Sequence, residues 1–87
     1  MRERITAVET GDFRLEYFRT FRQDSEDAEG EFHGIYVAKL KDGRILEQAD
    51  SGPITKDKMR ACEIIAKLAE NTVTPMVLYE ILDEMEI

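Results

Sequence analysis

Among its 87 residues the sequence has one cysteine, one histidine and no tryptophan. A single cysteine, Cys62, cannot close an internal disulfide, so the fold must hold by packing, and a reducing compartment suits it. One Cys and one His do not complete a structural zinc site. His33 has no serine, cysteine or carboxylate at a recognisable motif spacing, which leaves acid–base catalysis without a partner group. The five glycines are scattered at turns and form no phosphate-binding loop. No cofactor and no catalytic constellation are expected, and the chain reads as a non-enzyme. Long apolar runs are missing as well. No stretch approaches the ~20 apolar residues of a membrane span, and MRERITAVET lacks the apolar centre of a signal peptide. The expectation is a cytoplasmic protein with no membrane association.

A basic block is also lacking. Twelve Lys and Arg stand against nineteen Asp and Glu, for a formal charge of −7. The arginines before residue 23 are interleaved with Glu3, Glu9, Asp12 and Glu16. Binding to phosphates gains affinity by neutralising them and releasing counterions, so an acidic chain starts at a disadvantage. Direct nucleic-acid binding and anionic membranes are therefore disfavoured, whereas a basic protein surface stays compatible. With 43% hydrophobic and 36% charged residues the chain is too apolar for disorder. Its length fits one domain spanning residues 1–87.

What is present is a change of period. From about residue 3 to 50 the pattern is that of strands. RITAVET and FRLEYFRTFR flank Gly11-Asp12, a two-residue hairpin connection in which Gly would accept positive φ. In the second run Phe13, Leu15, Tyr17 and Phe21 share one parity; Arg14, Glu16, Thr20 and Arg22 share the other. Asp42-Gly43 divides HGIYVAKL from RILEQAD and gives a strong hairpin signal. Ser51-Gly52-Pro53 is expected to break the last strand. Helices then follow over about 55–71 and 74–86. Thr55 stands as N-cap of the first, Asp57 in its first turn, and Asn71 as a left-handed stop. Ala61, Cys62, Ile65, Leu68 and Ala69 form its apolar face, widened by Ile64 and Ala66. Thr74 and Pro75 suit the start of the second, with Val77, Leu78, Ile81, Leu82 and Met85 on its apolar side. The order β-β-β-β-α-α predicts an α+β fold: a four-stranded antiparallel meander covered on one face by a C-terminal helical hairpin.

The stretch from residue 33 to 87 resembles a small, functionally uncharacterised bacterial family found mainly in Gram-positive anaerobes. The matching positions are Gly34 and Ile35 at a strand start, Ile54, Thr55 and Asp57 at a helix start, and Val73, Pro75, Leu78, Ile81 and Asp83 in the last segment. His33 departs from the tyrosine of that pattern, and Val77 from a frequent histidine. These are cap and core positions. The resemblance implies no catalytic residue and no function.

The remaining candidates are surfaces. The loop from Asp24 to Glu31 is acidic, but an EF-hand needs an oxygen ligand at its fifth position and Gly at its sixth. Counted from Asp24 those are Ala28 and Glu29, so a solvated loop is expected. Glu80, Asp83, Glu84 and Glu86 read as the solvated back of the last helix. Cys62, on an apolar helix face, reads as a small inert hydrophobe. More informative is the sheet, where apolar residues occur on both parities. Phe18 stands opposite in parity to Tyr17, Tyr36 and Leu40 oppose Ile35 and Val37, and Leu46 sits beside Ile45. A half-buried antiparallel sheet alternates more cleanly. Phe18, Tyr36, Leu40 and Leu46 are therefore expected to line a partner-binding patch on the outer sheet face, for a protein partner or a homodimer. A second reading is an acidic inhibitor or nucleic-acid mimic, of phage or mobile-element origin, presented to a basic protein groove.

Overall fold

Hairpin turns set the register of the sheet. The computed structural model describes residues 1–23 and 30–85. The acidic loop weighed above for calcium lies, over residues 24–29, outside the described residues, as does Glu86. The strands are β1 (Arg2–Glu9), β2 (Arg14–Gln23), β3 (Glu31–Lys41) and β4 (Arg44–Thr55), antiparallel and in the order β1-β2-β3-β4. Helix α1 spans Lys58–Glu70; a 3-10 turn over Pro75–Val77 leads into α2, Leu78–Glu84. The predicted α+β order of four strands and then two helices is the observed one.

Asp42 and Gly43 both take positive φ, 54° and 77°, as a two-residue turn matched to strand twist requires. The Gly11-Asp12 turn works differently, for neither residue takes positive φ. There the Thr10 hydroxyl accepts from the N–H of Phe13 at 3.1 Å, and the Thr10 N–H donates to the Phe13 carbonyl at 2.9 Å. A side chain, not glycine freedom, closes the first hairpin.

The expected strand break at Ser51-Gly52-Pro53 does not occur: β4 runs through it to Thr55. Three local devices make this possible. The Ser51 hydroxyl accepts the Ile35 N–H at 2.9 Å, replacing a ladder carbonyl. Gly52 takes φ +72° and brings its carbonyl over Gly34, where a Cβ would lie 2.3 Å from that oxygen. Pro53 sits on an edge strand, which can do without an N–H. On the same edge the Tyr79 hydroxyl donates to the Asp50 carbonyl at 2.6 Å.

Because β4 continues to Thr55, the cap of α1 moves downstream. The Asp57 carboxylate accepts the N–H groups of Met59 (3.0 Å) and Arg60 (3.2 Å), while Thr55 accepts only from Asp57 N–H. Asp caps at least as well as Thr. At the other end the left-handed residue is Thr72, φ 52°, not Asn71. Val73 N–H reaches Leu68 O at 3.0 Å and Thr72 N–H reaches Ala69 O at 3.1 Å, the two bonds of a Schellman stop. Pro75 opens the last segment as predicted, but Thr74 contributes no side-chain cap, and Val77, in the 3-10 turn, is exposed.

The core lies between the helices and one sheet face. Leu15, Tyr17, Ile35 and Val37 pack with Ile64, Ile65 and Leu68 of α1 and with Val73, Leu78 and Leu82. Ala66, expected at the rim of the apolar arc, is exposed, and Cys62 is half-buried. The Tyr17 hydroxyl donates to the Val73 carbonyl at 2.8 Å, tying β2 to the link between the helices. Burial pushes this phenol up to about 12. Toward the β3–β4 turn the inner parity ends in polar groups: Lys39 lies over the Phe13 ring (4.4 Å) and pairs with Glu47 at 3.2 Å.

Candidate functional site

The face opposite the helices carries the other parity. Phe18 and Tyr36 are direct cross-strand partners, with ring centroids 5.4 Å apart in an edge-to-face arrangement. The Arg2 guanidinium lies 4.0 Å from the Tyr36 ring centroid and 5.7 Å from that of Phe18. The Tyr36 hydroxyl donates to the Gln48 side chain on β4. Beside this group Glu16 accepts from Arg4 (3.0 Å) and Arg14 (3.1 Å), and Arg14 also binds Glu9. The stems of these long side chains cover apolar surface while their heads reach water. As a result Tyr36 is only 5% exposed and Phe18 half-buried.

Leu40 lies two steps along β3 from Ala38 and opposes Ile45. The register moves from Leu40↔Ile45 to Lys39↔Glu47, so β4 holds one extra residue, Leu46, at this point. This bulge is why two large apolar residues stand side by side in the sequence: both face a single partner position. Ile45 and Leu46 are 53% and 54% exposed. The predicted residues thus fall into two groups on one outer face. Phe18 and Tyr36 form a closed aromatic pair; Leu40 and Leu46 belong to an open apolar corner. Sequence reasoning missed Ile45, whose adjacency to Leu46 was the signal, and Arg2, which carried none.

At the opposite end of the outer face, around Gly34, lies a cleft of about 410 Å³. Arg2, Thr20, Arg22, Phe32 and Pro53 line it. The Arg22 guanidinium is 5.9 Å from the Phe32 ring centroid.

A further charged group is buried on the inner face. Arg19, 4% exposed, places Nη1 2.8 Å from His33 Nδ1 and Nη2 3.3 Å from Glu3, with Phe21 beneath its guanidinium at 4.4 Å. A guanidinium has no lone pair to offer, so His33 Nδ1 accepts and the imidazole is neutral. Burial, and then the charge of Arg19, hold the His33 pKa below its usual value. Among the described residues Arg19 Nε has no hydrogen-bond partner. The signal was available: residue 19 shares the parity of Leu15 and Tyr17, which pointed a charge inward.

Glu80, Asp83 and Glu84 are exposed, and among the described residues no group of three or more His, Cys, Asp or Glu is placed to hold a metal. Among the described residues no helix is long and apolar enough to cross a membrane. Comparisons with curated proteins and with solved structures find no significant match. The expectation of a functionally uncharacterised family is met over nearly the full length: residues 1–86 match a family of unknown function, DUF6514, and the chain belongs to it.

Proposed function

We propose that the chain is a small non-enzymatic protein-interaction module that docks through the outer face of its sheet. The observation carrying this reading is the open corner of Leu40, Ile45 and Leu46. There a bulge turns two large apolar side chains toward water beside an otherwise covered surface. A contiguous apolar patch bordered by charges is the usual composition of a docking surface, and aromatic and arginine neighbours add to it. Leu46→Glu tests the reading. Leu46 is exposed, so the variant keeps the wild-type melting temperature while losing self-association in sedimentation equilibrium, or losing capture by a partner. A variant that associates like the wild type sinks the proposal.

A second reading rests on the exposed carboxylates Glu80, Asp83 and Glu84, which crowd one short helix. Here the chain is an acidic inhibitor or nucleic-acid mimic that presents them to a basic groove. Its signature is binding that collapses as salt screens exposed charges and that Leu46→Glu leaves untouched.

A further inference from the structure

We propose that the cleft around Gly34 takes the carboxylate of an acidic residue in an extended peptide segment of a protein partner, held between Arg2 and Arg22. The proposal rests on the interaction-module reading and names the chemistry of its partner.

The cleft is built by the backbone. The register of β3 on β4 shifts on both sides of Gly34, and this draws the strand across it. A Cβ at residue 34 would meet Gly52 O at 2.3 Å and Thr20 Oγ1 at 2.7 Å, so the floor admits only glycine. Its charges are arranged for an anion. Arg4, Arg14 and Arg19 are each engaged with a glutamate, whereas Arg2 and Arg22 make no ion pair among the described residues. Both are held over rings instead, Arg2 above Tyr36 and Arg22 above Phe32. A guanidinium lying on a ring uses its face and keeps the donors in its own plane for a carboxylate. Asp50 is the acidic residue in the lining, and its Oδ1 already accepts the Gly52 N–H at 2.9 Å. In a chain of net charge −7, two guanidinium groups at one concavity, neither ion-paired among the described residues, favour an anionic visitor.

Size and continuity point to a peptide. A volume of about 410 Å³ is at the low end for ligand pockets and holds a few side chains. From Gly34 the outer face continues along β3 past Tyr36 and Ala38 to Leu40, about 20 Å of strand rise. It ends at the exposed Ile45 and Leu46. An extended segment with an acidic residue at one end and an apolar residue about seven positions on would span both features.

The test uses a fluorescein-labelled synthetic peptide of two glutamates followed by alternating threonine and leucine, a second peptide with glutamines in place of the glutamates, and inorganic phosphate. Binding is followed by anisotropy and by amide shifts. The acidic peptide is expected to shift the amides of Arg22, Phe32 and Gly34. Its affinity should fall about tenfold in R2A/R22A, in R22A alone by a smaller factor, and with the glutamine peptide. It should also weaken as salt rises from about 50 to about 500 mM. R22A removes an exposed side chain that stacks on Phe32, and an unchanged melting temperature certifies its fold. Equal binding of the two peptides, or an R22A that binds like the wild type, overturns the proposal. So does phosphate alone reproducing the shifts at similar concentration, which would make the cleft a small-anion site. Binding that ignores R2A/R22A but is lost in Leu46→Glu removes this inference and leaves the interaction module standing. No response from the wild type at millimolar peptide also overturns the inference. If Leu46→Glu in addition leaves wild-type association unchanged, both fall.

Discussion

Tyr17 and Tyr36 lie on neighbouring strands, both buried and both with a bonded hydroxyl, yet they serve opposite faces of the sheet. Tyr17 is covered by helices and donates to a backbone carbonyl in the segment between them. Tyr36 is covered by Phe18 and the stem and head of Arg2, and donates to a side chain of the next strand. The inner face is thus sealed by elements that cannot leave without unfolding. The outer face is sealed by single side chains that can swing away. Burial alone does not distinguish the helix-covered core from the outer face; the identity of the cover does.

The largest effect should come from cutting the inner face itself. Leu15→Ala empties a site with no exposure, in the core cluster that holds Ile64, Ile65 and Leu68 of α1, and should cost about 2 to 5 kcal/mol in chemical denaturation. A midpoint close to wild type would show that the helices are not the seal described.

The tyrosine pair sharpens the comparison. Tyr17→Phe leaves the buried Val73 carbonyl without its donor and should cost about 1 to 3 kcal/mol. Tyr36→Phe frees Gln48, an exposed residue that water can satisfy, and should cost about 1 kcal/mol or less. Equal losses by urea titration would erase the distinction between the two faces.

The smallest effect is a pH dependence confined to the inner face. The folded pKa of His33 lies below its ordinary value of 6.5, so the unfolded chain binds the proton more readily. The stability from the neutral ring is therefore complete above about 6.5 and is lost as pH falls through the folded pKa. Protonation would set the ring against Arg19, with Lys58 adding repulsion and Glu31 and Asp57 opposing it. His33→Gln, which keeps an acceptor for Arg19, should flatten the stability profile between pH 7 and 5 relative to wild type. A profile of unchanged slope would place the titration elsewhere.

Much of the architecture was legible because local chemistry and global fold agree. Asp42-Gly43 is a turn in sequence and in structure, and the alternation through Leu15 and Tyr17 names the inward parity. Agreement fails where a distant strand decides. Ser51-Gly52-Pro53 looks like a break in isolation, yet the bare backbone at Gly34 lets β4 pass over it, and Thr55 then loses its capping role to Asp57. The candidate patch shows the same limit. Parity correctly put Phe18, Tyr36 and Leu40 on one face, but the burial of Tyr36 depends on Arg2, two strands away, and no local pattern carries that. Arg19 is the reverse case: its inward parity was visible, while its partner His33 lay on another strand.

The irregularities of β4 have a consequence beyond register. A sheet edge offers a row of free N–H and C=O groups on which another chain can grow. On this edge the extra residue at Leu46 interrupts the row, Ser51 and Gly52 bend it, Pro53 brings no N–H, and Tyr79 occupies the Asp50 carbonyl. At the other edge β1 carries its own irregularity near Ile5 and a run of Arg2, Glu3 and Arg4. Both borders are spoiled as templates for cross-β growth. A chain so rich in strand can thus expose apolar side chains on a face without inviting its neighbours to add strand upon strand.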